Sequence, residues 1–511
     1  MRRALVASWS DRGAPVRAHV EGTDVTAAAA PTDRSAGYGA LVHRDVLALT
    51  IGLSLSMALN AFEIIGSATA MPAVLADVGD VAFYGAAVAA PLVASLLAAP
   101  FGGRFADRFG ALRPLLLAFG LFALGLVGTA VAPTMPVVAL GRFVQGLGAG
   151  ALTTLQLVIV ARWYAVELRP KMLAVISSAF IIPGIIGPSI AAGIAASVGW
   201  RWVFGGMLPI LAIALGLLAP AVARRERGDR EEQGAARRTL DADHARAALG
   251  DTPDDVSADH AWWGPVALSL GIAVTVVAGS TAELVWLPLA VAGVVAAVIG
   301  ARATLPAGTF AARPVALAAA VRTALFASLA YLTFEAFLPL LLTNVRGESL
   351  WYASFPLTVA AFCWTGGSWV QARIPVPRRP RAAAIGGLLE AIGITLAIGL
   401  LAEAVPFWVA YPAAALASFG MGLAFTITQA VAVEWAASGK EGAASGAVQL
   451  ANLLGGGAGT AATAIALAWF PDHLAGAIAL GFAGMALAGL GAALAGRTLP
   501  TARPAAAVAP P

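Results

Sequence analysis

Three ionisable side chains sit where a water-soluble protein would not place them. Glu63, Arg142 and Glu335 each fall inside an apolar run long enough to cross a bilayer. Charged groups at such depth are costly and, where present, face a partner or a water-filled path. A carboxylate in low-dielectric surroundings can exchange its proton near neutral pH. The chemistry these residues could perform is therefore reversible binding of protons and cations, and Glu63, Glu335 and Arg142 form the candidate proton-coupling set. Helical spacing extends the pattern. Ser56, Asn60, Glu63 and Ser67 share one face of a helix, and Arg142, Gln145, Ala149, Thr153 and Gln156 recur at three- and four-residue steps on another. Asn60, Gln145 and Gln156 are thus candidates for lining a substrate cavity, as are Phe334 beside Glu335, Gln429, and the stripe Gln449 and Asn452. Blander readings stand beside these. Arg142 lies about six residues from the end of its run and could snorkel. Glu63 could make a structural hydrogen bond as a neutral acid. The glycines at 455–457 fit a packing seam, and Glu390 fits packing as well as function.

The elements that must position these groups follow from composition. Only 12% of the 511 residues are charged and 59% are hydrophobic, with a mean hydropathy of +0.82. A soluble domain carries about a quarter charged residues, so this is a polytopic all-α membrane protein. A bilayer core about 30 Å thick needs about 20 apolar residues in a helix. Such runs lie near 46–71, 81–101, 114–132, 136–160, 172–196 and 203–222, then at 263–279 and 285–301, then near 316–343, 352–372, 382–402, 406–433, 443–468 and 475–496. The pair at 263–301 is near the lower length limit and fits either two spans or a re-entrant hairpin. The expected organisation is a disordered tail (1–43), a six-helix bundle (44–222), a charged, disordered linker (223–261), two extra helices (262–302), a second six-helix bundle (303–496) and a short tail (497–511).

Cation placement predicts orientation. With the N-terminus inside, the inner loops collect Arg104, Arg108, Arg113, Arg162, Arg169 and Lys171 in the first half alone, while the outer loops hold only Arg201 and Arg346. Both termini are expected in the cytoplasm. The outer loops are too short to hold a receptor or enzyme domain. The single cysteine, Cys363, rules out an intrachain disulfide. No phosphate-binding G-x-x-x-x-G-K-[ST] occurs, so ATP-driven transport is not expected. The five histidines are scattered, and no cluster has metal-ligand spacing.

Three motifs then point to a family. Gly103-Arg-Phe-Ala-Asp107-Arg108-Phe-Gly110 closes the second run, followed by Arg113. It resembles the G-x-L-a-D-r-x-G-r-k signature of the major facilitator superfamily of transporters. Phe105 replaces the leucine of that signature, and Ala111 and Leu112 replace its basic pair. Arg142-Phe-Val-Gln145-Gly146-Leu-Gly148 resembles the superfamily's second motif. Pro183-Gly184-Ile-Ile-Gly187-Pro188 resembles the helix-5 motif of exporters in the drug:proton antiporter branch, with Ala191 and Ala192 in place of its terminal glycines. The loop Gly199-Trp-Arg-Trp-Val-Phe204 is similar to that branch, particularly its fourteen-span members.

The resemblance implies a major facilitator fold, with two six-helix bundles as parallel repeats plus two extra central helices. Helix 7 then corresponds to helix 1, and Glu335 to Glu63. It implies a proton-coupled exporter of small hydrophobic or cationic compounds, gated by Gly103, Asp107, Arg108, Gly110 and Arg113, with a helix-5 bend at Gly184, Gly187 and Pro188. Asp107 is expected to dock on the opposite half when the inner gate closes. The implied partners are a small-molecule substrate, protons and the lipid bilayer, with no nucleic acid, no metal and no cofactor beyond the proton gradient. A monomer in the plasma membrane is expected. A dedicated metabolite or lipid exporter on the same scaffold is the alternative, and a non-transporting membrane sensor a more distant one.

Overall fold

The computed structural model describes residues 38–165, 167–239, 263–436 and 440–502. Every regular element among them is helical. In lipid no water can satisfy a free peptide group, so apolar runs must close their hydrogen bonds within each segment. The first bundle contains α1 (Arg44–Val78), α2 (Val81–Phe109), α3 (Leu112–Ala130), α4 (Met135–Trp163), α5 (Arg169–Ser197), the short α6 (Arg201–Gly205) and α7 (Met207–Thr239). Then come α8 (Trp263–Ser280) and α9 (Leu287–Thr304). The second bundle contains α10 (Ala316–Leu340), α11 (Leu350–Gln371), α12 (Arg379–Gly399), α13 (Ala410–Glu434), α14 (Glu441–Trp469) and α15 (Leu474–Gly496). Among the described residues, twelve helices are long and apolar enough to cross a membrane. The 29-residue α5 and the 22-residue α11 pack beside them. We call the face at which α1 begins the near face, and the opposite one the far face.

The two bundles repeat one packing scheme. In the first, α1 packs on α5 and α7, α4 on α2 and α3, and α3 on α7. In the second, α10 packs on α14 and α15, α13 on α11 and α12, and α12 on α15. Helix α10 is therefore the counterpart of α1, as the resemblance implies. Glu63 and Glu335 each lie nineteen positions beyond the first residue of their helix, so the two carboxyls hold the same position along equivalent helices.

The bundles meet through α2 on α14 and α5 on α11, a symmetric pair of contacts. Near the far face the backbones touch: a Cβ on Gly85 would sit 2.2 Å from the Ala464 Cα. There too the Tyr84 and Phe337 rings lie 6.0 Å apart across the two bundles. Gly193 approaches Trp351 at the same level, and Gly184 approaches Ala361 at mid-depth. Toward the near face Gln449 is exposed. The bundles are thus sealed at the far face. Helix α8 lies across the seam, packed on both α2 and α14, with the Trp469 indole N–H donating to the Gly279 carbonyl at 3.1 Å. Helix α9 packs on α8 and leaves most of its apolar surface outward.

Three segments differ from the sequence reading. The stretch 223–239, expected as disordered linker, continues α7 as a helix beyond the membrane. Two of its acids dock on the bundle: Glu226 accepts from the Leu112 N–H at 2.9 Å and Asp229 from the Trp163 indole at 3.1 Å. The rest of the expected linker, from 240, lies outside the described residues up to 262. At the chain's start, Tyr38–Val42 forms a 3-10 turn whose Leu41 is buried and accepts from the Thr50 hydroxyl at 2.9 Å; residues 1–37 of the expected tail lie outside the described residues. After α15, Leu499 is buried and the Thr498 hydroxyl accepts from Arg322 at 2.9 Å, and 503–511 lie outside the described residues.

Candidate functional site

The polar stripes of α1 and α4 face one another. Arg142 forms an ion pair with Glu63, both side chains being under 5% exposed. One turn nearer the near face, the Asn60 amide donates to the Thr153 hydroxyl at 3.4 Å, and beyond it the Gln156 amide donates to Ser56 at 2.8 Å. Two helices with complementary polar faces zip together because each buried polar group must find a partner where water is absent. This arrangement decides against snorkelling for Arg142. Its Nη1 also reaches Gln145 Oε1 at 3.4 Å, its Nε reaches the Ala87 carbonyl at 3.5 Å, and its guanidinium carbon lies 5.7 Å from the centre of the Phe204 ring. Gln145 is fully buried, and among the described residues its amide nitrogen has no protein partner.

Glu335 stands in different surroundings. It is partly exposed, and the Tyr331 hydroxyl donates to it at 3.1 Å. Tyr331 in turn accepts from the Ser418 hydroxyl at 2.8 Å. Its ring packs edge-on against Trp364 at 5.1 Å, and Trp364 packs against Phe425. At the level where α4 carries Arg142, α13 carries the small Ala417 and Ser418. Among the described residues no ion pair involves Glu335. Arg142 therefore does not bridge the two glutamates: it belongs to Glu63. The two halves put acids at matching helix positions but give a cation to only one of them.

Phe334 corrects the sequence reading. It is buried in the second bundle with its ring 5.5 Å from that of Phe482 on α15. Adjacent helical residues point about 100° apart, so a glutamate facing inward turns its neighbour into the packing between α10 and α15. The remaining cavity candidates divide. Gln429 and Gln449 contact each other at 3.4 Å and Ser445 donates to Gln429 at 3.1 Å, a polar patch toward the near face. Asn452 instead accepts from the Ser328 hydroxyl at 2.6 Å on α10. Glu390 is fully buried on α12, against α13, and among the described residues neither carboxyl oxygen has a protein partner.

The near-face motif sits at the turn from α2 to α3. Gly110 adopts φ +81°, and a Cβ there would fall 2.7 Å from Glu226 Oε1, so the turn needs glycine on both counts. Asp107 is exposed and pairs with Arg162 of its own bundle at 2.8 Å. Among the described residues the expected docking on the opposite half is not made, the partner of Asp107 being Arg162. Arg108 stacks on Phe109, and Arg113 is exposed. A Cβ on Gly103 would meet Thr154 of α4 at ordinary contact distance. In the second bundle the corresponding near-face pair is Arg379 with Glu434, bidentate at 2.7 and 3.1 Å. Just past α4, the Tyr164 hydroxyl lies 2.9 Å from the Thr50 hydroxyl, and burial raises it above its ordinary range.

Helix 5 uses its motif for close approach. Gly184, Gly187 and Pro188 are buried, with Gly187 against Phe62 of α1 and Gly184 between Ile65 and Ala361. Sequence reasoning missed Tyr331, Ser418, Phe204 and Glu226. Tyr331 was within reach of it, since it precedes Glu335 by four residues on one helix face. The others act across long separations and leave no local signal.

A family model described as Major Facilitator Superfamily matches residues 53–460. Curated relatives match shorter stretches. Multidrug resistance protein 3 of Bacillus subtilis (strain 168) is 30% identical over 167 residues, covering 33% of this chain and 33% of that protein. Efflux pump dotC of Dothistroma septosporum is 32% identical over 168 residues, covering 33% and 29%. The chain thus spans about a third of the length of the curated relatives it matches. Among solved structures, a D-xylose-proton symporter superposes with a TM-score of 0.57 at 15% identity, over 86% of this chain and 96% of that one. The xylose transporter XylE from E. coli, in a partially occluded inward open conformation, does so with a TM-score of 0.55 at 16% identity, over 88% and 97%. At such identity the likeness shows the fold alone.

Proposed function

Because the chain belongs to the Major Facilitator Superfamily, we propose that it is a proton-coupled exporter of small hydrophobic or cationic compounds, working by alternating access of its two bundles. The observation that carries this is the unequal treatment of two acids at the same position along equivalent helices. Glu63 is buried on Arg142, while Glu335 is partly exposed beside aromatic rings and has no cation of its own. A lipophilic cation or a proton can supply the missing charge at Glu335, one excluding the other, and the partly exposed Trp364 ring suits an apolar cation. At Glu63 a proton takes the place of the ion pair, and Gln145 Oε1 is at hand to accept the guanidinium's N–H. Protons entering from the far side would thus displace substrate, and the protonated, substrate-free carrier would return and release them at the near face. The names of the relatives, a multidrug resistance protein and an efflux pump, support export as the direction. The proton gradient is the sole energy source in this reading, and the unit is a monomer.

The test is transport in proteoliposomes. A fluorescent lipophilic cation should move against its gradient only while a pH difference is imposed, and an ionophore that collapses the difference should stop it. Flux that survives collapse would overturn the reading.

We place the near face in the cytoplasm of a plasma-membrane protein with fourteen spans, α5 and α11 completing the twelve. The near face carries most of the loop cations, and the far face has Arg201 and Arg346. In a Cys363→Ala background, Glu283→Cys between α8 and α9 should react with an impermeant thiol reagent from the same side as Gly347→Cys. Labelling of Gly347→Cys alone would argue for a re-entrant hairpin.

A further inference from the structure

We propose that α6 is a strut that holds Arg142 on Glu63, with Phe204 as the positioning residue and Asp77 as its anchor at the far face. The proposal rests on the proton-coupled reading above. It starts from the loop motif Gly199-Trp200-Arg201-Trp202-Val203-Phe204, which neither the cavity nor the gate uses.

Glu63 and Asp77 are both on α1, fourteen residues apart. That is about 21 Å and close to four full turns, so they share one face of the helix. The short helix α6 packs against α1 between them. At its outer end the Trp200 indole and the Arg201 guanidinium both donate to Asp77, at 3.0 and 2.5 Å. Arg201 also donates to the Ala132 carbonyl beyond α3, at 3.3 Å, and lies 4.4 Å over the Trp200 ring. Asp77 and Arg201 thus hold Trp200 directly, and the Ala132 carbonyl steadies Arg201. Its ring meets Phe204 edge-on at 6.1 Å, and Phe204 meets the Arg142 guanidinium. Trp200 and Phe204 are almost completely buried, and only the outer clasp is in contact with the aqueous phase.

The guanidinium is therefore held on several sides: Glu63 from α1, the Ala87 carbonyl from α2, Gln145 from α4 and Phe204 from α6. An aromatic face attracts a cation and excludes water from it. Without that wall the long arginine side chain gains other rotamers, and Glu63 loses its fixed counter-charge. Other groups do not compensate. Of the elements packed on α1, α4 adds only the near-face Arg162, taken by Asp107, and α6 only Arg201, taken by Asp77, while α5 and α7 carry ionisable side chains only near or beyond the near face, at Arg169, Lys171 and from Arg224 onward. Apart from their near-face ends, α2 offers Tyr84, α10 offers Tyr331 and Glu335, and α11 offers Tyr352 and Cys363. None of these is a cation.

The experiment is the pH profile of cation transport in proteoliposomes, read for the parent, Phe204→Leu, Phe204→Tyr, Asp77→Asn and Glu63→Gln. A carboxylate that loses a neighbouring cation holds its proton to higher pH, an effect of about one unit or more. Phe204→Leu should therefore move the midpoint upward by about one pH unit, and Phe204→Tyr, which keeps the ring, should restore it. Asp77→Asn should move it in the same direction by less, because the clasp is half in water and screened. A merely structural role for α6 would lower the amount of folded protein and leave the midpoint in place. An unmoved midpoint in both Phe204→Leu and Asp77→Asn overturns the strut. If Phe204→Leu yields no folded protein, Asp77→Asn decides the matter alone. Glu63→Gln separates the two readings: a parental pH profile in that variant overturns proton coupling at Glu63 itself, and the strut with it.

Discussion

Arg142→Leu is expected to destabilise the folded protein by about 3–5 kcal/mol, the usual cost of removing one partner of a buried ion pair. The cause is the carboxylate left behind. Glu63 is almost wholly buried, and Arg142 is the partner that neutralises it. Arg142→Leu combined with Glu63→Leu should recover most of the loss, since an apolar pair of similar volume in place of a buried ion pair is often neutral or stabilising. Coupled transport should be absent in the single and the double variant alike. Thermal unfolding in one detergent–lipid mixture gives the stability cycle, and proteoliposome flux gives the activity. Losses that simply add in the double variant would mean that the two side chains do not depend on one another, contrary to the geometry. The separation of stability from transport in the double variant is the informative result. It distinguishes a pair kept for its exchangeable charge from one kept for packing.

The second large effect belongs to Glu335. Glu335→Gln should leave the fold intact, because the amide oxygen can still accept from Tyr331 and no ion pair is broken. Binding of a lipophilic cation should weaken. Hydrogen bonds to charged groups contribute about 1.5–3 kcal/mol, which corresponds to a rise of roughly 10–100-fold in Kd. A neutral apolar compound of similar size should bind the variant about as well as the parent, since the Trp364 ring is untouched. Fluorescence titration of purified protein with a matched cationic and neutral pair measures both. Equal weakening of the two ligands would place Glu335 in the structure of the cavity and not in charge recognition.

Much of this architecture was legible in the chain because the membrane allows few solutions. An apolar run must become a helix, and its length says whether it can span. The stripes Ser56–Asn60–Glu63 and Arg142–Thr153–Gln156 were legible for the same reason: helical periodicity puts residues three and four apart on one face whatever surrounds them. The glycine-flanked turn around Asp107 was legible because a tight reversal between two spans demands Gly110 at positive φ. The repeat also had a local trace, two acids at comparable places in two apolar runs.

What periodicity cannot say is which stripe meets which. That α1 and α4 face each other, so that Arg142 neutralises Glu63 and leaves Glu335 alone, is a fact of bundle packing. The same holds for Phe334, whose ring the packing of α10 on α15 sets against Phe482. Mixed charge in 223–239 suggested disorder because the sequence does not reveal that Glu226 meets the start of α3, 114 residues away. Phe204 is the clearest case. It is one apolar residue in a short loop motif, and only the fold sets its ring against a buried guanidinium. The helices, their order and the chemistry available at mid-membrane could be read from the chain, because they depend on local periodicity and on the cost of polar groups in lipid. The tertiary structure alone decided which charge is satisfied and which stays open, because that depends on contacts between residues far apart in the chain.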